Sequence, residues 1–180
     1  CCAASAGPAF EGSGVSCGMR AARGAIQRIE IKREGDEVSV KAGTIGDEPA
    51  KGICGSGYID IIAQMLKCGI INKDGKIDRR IKSNRVREGL DGLEFVLCEK
   101  DETAIAKDIV ITDADIENLK RSKGAIYAAA VTLLKKIGIK FEDIKKIYIA
   151  GGFGTSLDIE KAITIGLLPD LPREVFTFVG

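Results

Sequence analysis

The sequence predicts a mixed α/β domain, and three observations lead to that prediction. Apolar residues alternate on both sides of the turn Glu34-Gly35-Asp36, which predicts a β-hairpin over residues 25–42. Two later stretches carry apolar residues at helical spacing. A short apolar strand, a glycine turn and a helix then follow one another over residues 146–165. A hairpin followed by a strand–helix–strand unit is typical of a mixed sheet flanked by helices.

The first half of the chain gives one clear helix after the hairpin. Gly52-Ile53-Cys54-Gly55-Ser56-Gly57 opens a helix that continues to about Cys68, and Asn72-Lys73-Asp74-Gly75 forms a turn. Residues 81–92 are charged and poorly periodic, and we interpret them as a surface excursion within a surface insertion over residues 75–108. Strands are predicted at residues 95–97 and 109–111.

The second half predicts a long helix and a strand–turn–helix unit. Thr112 is a good N-cap, and Asp115 three residues on gives a variant of the capping box. The apolar stripe that follows ends at Gly138. The stripe consists of Ile116, Leu119, Lys123, Ile126, Ala130, Leu133 and Ile137. A strand over residues 146–150 leads through the glycine turn into a helix over about 158–165. Two prolines close that helix before a final strand.

Composition limits the classes of partner. A net charge of +1 over 180 residues gives no overall field that would favour nucleic acid or an anionic membrane. The sequence contains no apolar run of about 18 residues, so we expect no membrane span. The N-terminus lacks the basic and apolar regions of a signal peptide, and we expect a cytoplasmic protein.

Cysteine and histidine usage limits the chemistry. None of the six cysteines forms a C-x-x-C pair, and histidine is absent. Zinc-finger and ferredoxin-type spacings are therefore missing, and we predict no metal ligands. Free thiols in a reducing cytoplasm are expected. Catalysis by a Ser-His-Asp triad is excluded within this chain.

The strongest candidate for a ligand site is the glycine turn Gly151-Gly152-Phe153-Gly154. Glycines let a backbone approach a phosphate, and a helix N-terminus offers unpaired N–H groups. Phe153 could pack on an adenine or on a partner protein. The alternative is a tight strand-to-helix connection that binds nothing.

A second candidate is the helix start Gly55, Ser56 and Gly57, which could form another anion-binding N-terminus. The alternative is close packing of this helix on a neighbouring strand. Cys54 beside it is interpreted as a buried structural thiol.

Three further residues are candidates for binding. Lys123 lies on the apolar stripe of its helix, where its cation could reach a phosphate or its stem could simply cover apolar surface. Gly7 lies in a turn-rich segment with Glu11, the only acidic group of the first 29 residues. Glu11 could bind a ribose hydroxyl or a metal-bound water, or it could be a solvated loop carboxylate.

Taken together, these segments resemble one family: the C-terminal, ATPase-like domain of the reductive activators of corrinoid proteins. The resemblance runs in order over nearly the whole chain. It rests on Ala4-Ser5-Ala6-Gly7-Pro8-Ala9-Phe10-Glu11-Gly12, Cys17-Gly18-Met19-Arg20-Ala21, Gly52-Ile53-Cys54-Gly55-Ser56-Gly57-Tyr58-Ile59-Asp60, Lys123-Gly124-Ala125-Ile126, Gly151-Gly152-Phe153-Gly154 and Ile165-Gly166-Leu167-Leu168-Pro169-Asp170.

The resemblance implies a ribonuclease-H-like, actin-like ATPase half-domain. It implies ATP with Mg²⁺ as cofactor, an iron–sulfur cluster in another domain, and a corrinoid protein as partner that is returned from cobalt(II) to cobalt(I). Gly151, Gly152 and Gly154 match the adenosine-side motif of the family. Gly55, Ser56 and Gly57 match the second helix start near the nucleotide, and Lys123 and Glu11 match further family positions.

One departure from the family pattern limits what the chain can do alone. The phosphate-binding Asp-x-Gly-Thr hairpin of the superfamily is absent, and both ends look cut, so we expect residues 1–180 to be one domain and part of a larger ATPase. Catalytic residues therefore stay unassigned. A small-molecule kinase of the same superfamily and a non-enzymatic docking or dimerisation domain are the alternatives, and a homodimer is left open.

Overall fold

The computed structural model describes residues 5–151 and 157–179, which form eight strands and three α-helices. A 3-10 helix, Pro8–Glu11, precedes them. The order is β1 (Ala25–Glu34), β2 (Glu37–Thr44), β3 (Gly52–Ile53), α1 (Gly55–Lys67), β4 (Val86–Gly89), β5 (Gly92–Cys98), β6 (Ile109–Thr112), α2 (Asp113–Ile137), β7 (Ile147–Ala150), α3 (Ile159–Thr164) and β8 (Phe176–Val179).

The first sheet is mixed and has the strand order β2-β1-β3. The predicted hairpin is confirmed: β1 and β2 pair antiparallel, with Glu34 opposite Glu37 across the turn. The short strand β3 pairs parallel with β1 and leads directly into α1, which packs on β1. This strand–helix unit places the start of α1 against the centre of the sheet.

The second sheet, β4-β5-β6, is antiparallel and corrects one sequence prediction. Val86–Gly89, within the predicted surface excursion, is a strand that pairs with β5. It was missed because four partly exposed residues with two charges show no clear alternation. Leu93, Phe95 and Leu97 of β5 are buried, so the segment 75–108 also contributes to the core. Its origin as an insertion stays a prediction.

Helix α2 begins and ends where the sequence predicts. The Thr112 side chain caps it, and Gly138 at its C-terminus has a φ of 70°, the left-handed conformation. The predicted apolar stripe is buried only in part. Ile116 and Leu119 lie in the core, whereas Ile137 is 56% exposed.

The third sheet consists of β7 and β8, which pair parallel and are connected through α3. Helix α3 packs on α1. Over the described ranges, no helix is both long enough and apolar enough to span a membrane.

Candidate functional site

A cleft of about 300 Å³ lies between α1, α2, α3 and the turn at residues 72–75. Its floor is apolar and its rim carries lysines, which is the composition of sites for ligands with an apolar body and a negative charge. The apolar lining residues are Phe10, Ile62, Leu66, Ile71, Ile116, Leu119, Ile163 and Ile165, and the lysines are Lys73, Lys120 and Lys123.

Lys123 is half-buried on the wall of this cleft, opposite the end of α3. A Cβ atom placed on Gly166 would lie 3.0 Å from the Lys123 Nζ atom. Gly166 also has a φ of 68°, a conformation that disfavours other residues. Glycine at this position therefore leaves room for the ammonium group at the mouth of the cleft.

Lys120, one helical turn before Lys123, is already engaged. Its Nζ atom donates to the Asp74 carbonyl oxygen at 2.7 Å and to Glu117 Oε2 at 3.0 Å. The bond to Asp74 ties the turn at residues 72–75 to α2. Within residues 5–151 and 157–179, no carboxylate forms a salt bridge with Lys123, so its charge is available to a ligand.

The structure brings Gly7 to the same helix as Lys123. Gly7 has a φ of 86°, and a Cβ atom there would lie 3.3 Å from Ser122 Oγ, next to Lys123 in the chain. The 3-10 helix that follows packs on α1 and α2 and places Phe10 in the cleft floor. Glu11, the last residue of that 3-10 helix, is exposed.

Close packing explains the glycine at the third position of α1. A Cβ atom on Gly57 would lie 2.1 Å from the Ile26 carbonyl oxygen of β1. Gly55 and Ser56 are buried as well, and Ser56 Oγ lies 3.3 Å from Cys54 Sγ. Packing alone is a sufficient reason for Gly57, and the predicted anion site at this helix start stays a prediction.

The glycine turn after β7 is described only at its first residue. Gly151 is exposed with a φ of 84°, and a Cβ atom there would have no atom of the described residues within 4 Å. Gly152, Phe153 and Gly154 lie outside the described residues. Their predicted role in binding adenosine stays a prediction.

The described thiols are free, and two of them have raised pKa values. Burial raises the pKa of Cys98 to about 11, and burial also raises the pKa of the half-buried Cys17. Both groups are therefore neutral thiols at pH 7, which makes them poor nucleophiles and poor metal ligands. In the described part of the chain, no group of three or more His, Cys, Asp or Glu residues could hold a metal ion.

Comparison with known proteins identifies the family. The family model described as the C-terminal domain of RACo, the ASKHA domain, matches residues 1–180. The chain belongs to this RACo C-terminal domain family. The reductive activator for corrinoid, iron–sulfur protein, a solved structure, superposes on 98% of the chain with a TM-score of 0.90 and 53% sequence identity. The predicted actin-like ATPase fold class is thereby confirmed.

Two curated relatives carry related names. The corrinoid activation enzyme RamQ of Eubacterium limosum is 36% identical over 174 residues, which cover 92% of this chain. The [Co(II) methylated amine-specific corrinoid protein] reductase of Methanosarcina barkeri is 31% identical over an alignment 195 residues long. That alignment covers 97% of this chain. The chain spans 28% and 32% of these relatives' lengths, and 28% of the solved activator.

Sequence reasoning identified Lys123 as a candidate but missed other residues around the cleft of this RACo C-terminal domain. Lys120 and Lys123 are three residues apart on α2, a spacing that places both on one helix face and could have suggested a cationic edge. Nothing in the sequence indicated that Gly166 leaves room for the Lys123 side chain. The ion pair between Asp60 and Lys161 could not be predicted either, because these residues lie 101 positions apart in the sequence.

Proposed function

We propose that this RACo C-terminal domain binds the nucleotide of an ATP-dependent reductive activator. Family membership and the names of the relatives support the proposal. The structural observation that carries it is the cleft in which Lys123 stands beside Gly166 above an apolar floor.

The cleft offers two kinds of contact that a nucleotide needs. The apolar floor around Phe10 and Leu119 can take the base or ribose, which excludes water from that end of the ligand. The ammonium of Lys123 can pair with a phosphate, which lysine binds as a compact positive charge. Gly151 and the residues after it would add backbone contacts, as the family resemblance implies.

Mg²⁺ does not fit the described residues as a resident ion, because they contain no cluster of metal ligands. In the proposal, Mg²⁺ arrives with the nucleotide, and an iron–sulfur cluster belongs to another part of the whole protein.

At the level of the whole protein, the proposed activity is the ATP-dependent return of a cobalt(II) corrinoid protein to cobalt(I) for methyl transfer. The partner is then the corrinoid protein, and the two proteins would meet in the cytoplasm. Nucleotide binding would favour one of two arrangements of the whole ATPase, and the difference in nucleotide affinity between them would drive the change.

Calorimetric titration of ATP with Mg²⁺ into the full-length protein, wild type and Lys123→Met, tests the nucleotide site. Methionine keeps the unbranched apolar stem and removes the charge. We expect the affinity to fall about tenfold or more, since a hydrogen bond to a charged group contributes about 1.5–3 kcal/mol.

Lys136→Met is the matched control, because Lys136 is an exposed lysine in the last turn of the same helix. It should leave the affinity unchanged. Wild-type protein that binds no ATP would refute the proposed function. An affinity that Lys123→Met leaves intact would remove Lys123 and its cleft from the site.

A further inference from the structure

The carboxylate of Asp60 joins three elements at one buried point. Asp60 lies on α1 and is 4% exposed. Its Oδ2 atom accepts the backbone N–H of Ile29 on β1 at 2.7 Å, and its Oδ1 atom pairs with Lys161 Nζ on α3. A buried carboxylate needs such partners, because an unpaired buried charge is strongly unfavourable.

Lys161 is the only lysine of α3 and lies two residues before the cleft wall. The wall consists of Ile163, Thr164, Ile165 and Gly166. The main chain between the lysine and the wall is tightly bonded: the Gly166 N–H donates to the Ile163 carbonyl oxygen, and the Leu167 N–H to the Ala162 carbonyl oxygen, both at 2.8 Å. We therefore expect a shift at Lys161 to reach Gly166, whose added Cβ atom would lie 3.0 Å from the Lys123 ammonium.

We propose that Asp60 and Lys161 are positioning residues, and that their part-buried ion pair fixes the α3 wall at the distance from Lys123 that nucleotide binding requires. The expected effect of this pair on ATP affinity rests on the proposed function. The structural part of the proposal, the fixing of the α3 wall, does not depend on any ligand.

An exposed ion pair between α3 and the residues that follow it provides the comparison. Arg173 pairs with Glu160 through two bonds of 2.6 and 2.8 Å, but the Glu160 side chain is 66% exposed. Exposed pairs contribute little to stability because water and salt screen them. The position of α3 should therefore depend on Lys161 and very little on Arg173.

Hydrogen exchange, followed by mass spectrometry on the full-length protein, measures how strongly the wall resists local opening, which the ion pair should oppose. Lys161→Met removes the charge and keeps the stem. We expect protection of the amides of residues 162–168 to fall about tenfold while the β1–β2 hairpin keeps its protection. Lys161→Arg should restore protection, and Arg173→Met should leave it at the wild-type level.

ATP affinity, measured on the same variants, tests the consequence. We expect about a tenfold loss for Lys161→Met and a near wild-type value for Lys161→Arg. Asp60→Asn, which keeps an acceptor for the Ile29 N–H and removes the charge, should match Lys161→Met.

Two outcomes would overturn the positioning role. One is a loss of protection spread equally over all elements, which would show a purely global effect on stability. The other is unchanged protection of residues 162–168 in Lys161→Met. If the wild type bound no ATP, the proposed function would fail, and the exchange data would still decide whether the pair fixes the wall.

Discussion

At Gly57 the first turn of α1 comes closest to β1, and the contact sets a limit on side-chain size. An added Cβ atom would lie 2.1 Å from the Ile26 carbonyl oxygen, which is part of the sheet backbone and cannot turn away. Gly57→Ala should therefore lower the free energy of unfolding by about 2 kcal/mol, the usual cost of overpacking a core. Urea unfolding followed by circular dichroism measures the change.

Gly124 provides the matched control, because it lies inside α2 and an added Cβ atom would have no neighbour within 4 Å among the residues that the structure describes. Gly124→Ala should raise the free energy of unfolding by about 0.5–1 kcal/mol, since alanine favours a helix more than glycine does. Equal effects of the two substitutions would show that α1 can move away from the sheet.

At the scale of a single element, Asp115 does more for α2 than an ordinary helix cap. Its Oδ2 atom accepts the Thr112 N–H at 3.0 Å, completing the capping box with Thr112. Its Oδ1 atom accepts the backbone N–H of Ser16 at 2.7 Å and the Ser16 hydroxyl at 3.1 Å. The carboxylate is 2% exposed, so it holds the N-terminal loop against the start of α2.

Asp115→Ala should lower the free energy of unfolding by about 3 kcal/mol, because it leaves the N–H group of buried Thr112 and the polar groups of Ser16 without their acceptor. Asp143 is the control, since it accepts the Lys140 N–H in a capping box that is exposed. Asp143→Ala should cost about 0.5–1 kcal/mol, the lower range for a cap. Thermal unfolding of both variants tests the ranking, and similar costs would argue against a role for the Ser16 contacts.

The same element shows what a sequence can predict and what it cannot. The spacing of Thr112 and Asp115 predicted the cap, because capping is local and depends on residues three positions apart. The bonds from Asp115 to Ser16 join residues 99 positions apart, and nothing in the sequence marks that pairing. The β1–β2 hairpin and α1 were likewise predictable from periodicity, whereas the contact of Lys123 with Gly166 depends on how three helices pack.

At the scale of the whole molecule, the β7–β8 sheet has an apolar face that the described residues cover only in part. Tyr148 is 63% exposed and Val179 is 40% exposed. Ala150 pairs with Val179 and lies two residues after Tyr148 on β7, so the side chains of Tyr148 and Val179 lie on the same face of the sheet. Parallel sheets are normally covered on both faces, and exposed apolar surface of this kind favours association.

Taken by itself, the 180-residue chain should therefore self-associate through this face as its concentration rises. Tyr148→Lys should weaken the association, because it puts a charge into the contact. Leu90 is the matched control: among the described residues it is the most exposed large apolar one, and it lies at the tip of the β4–β5 hairpin. Sedimentation equilibrium of both variants decides the matter. A chain that stays monomeric throughout, or an equal effect of Leu90→Lys, would contradict an association through β7 and β8.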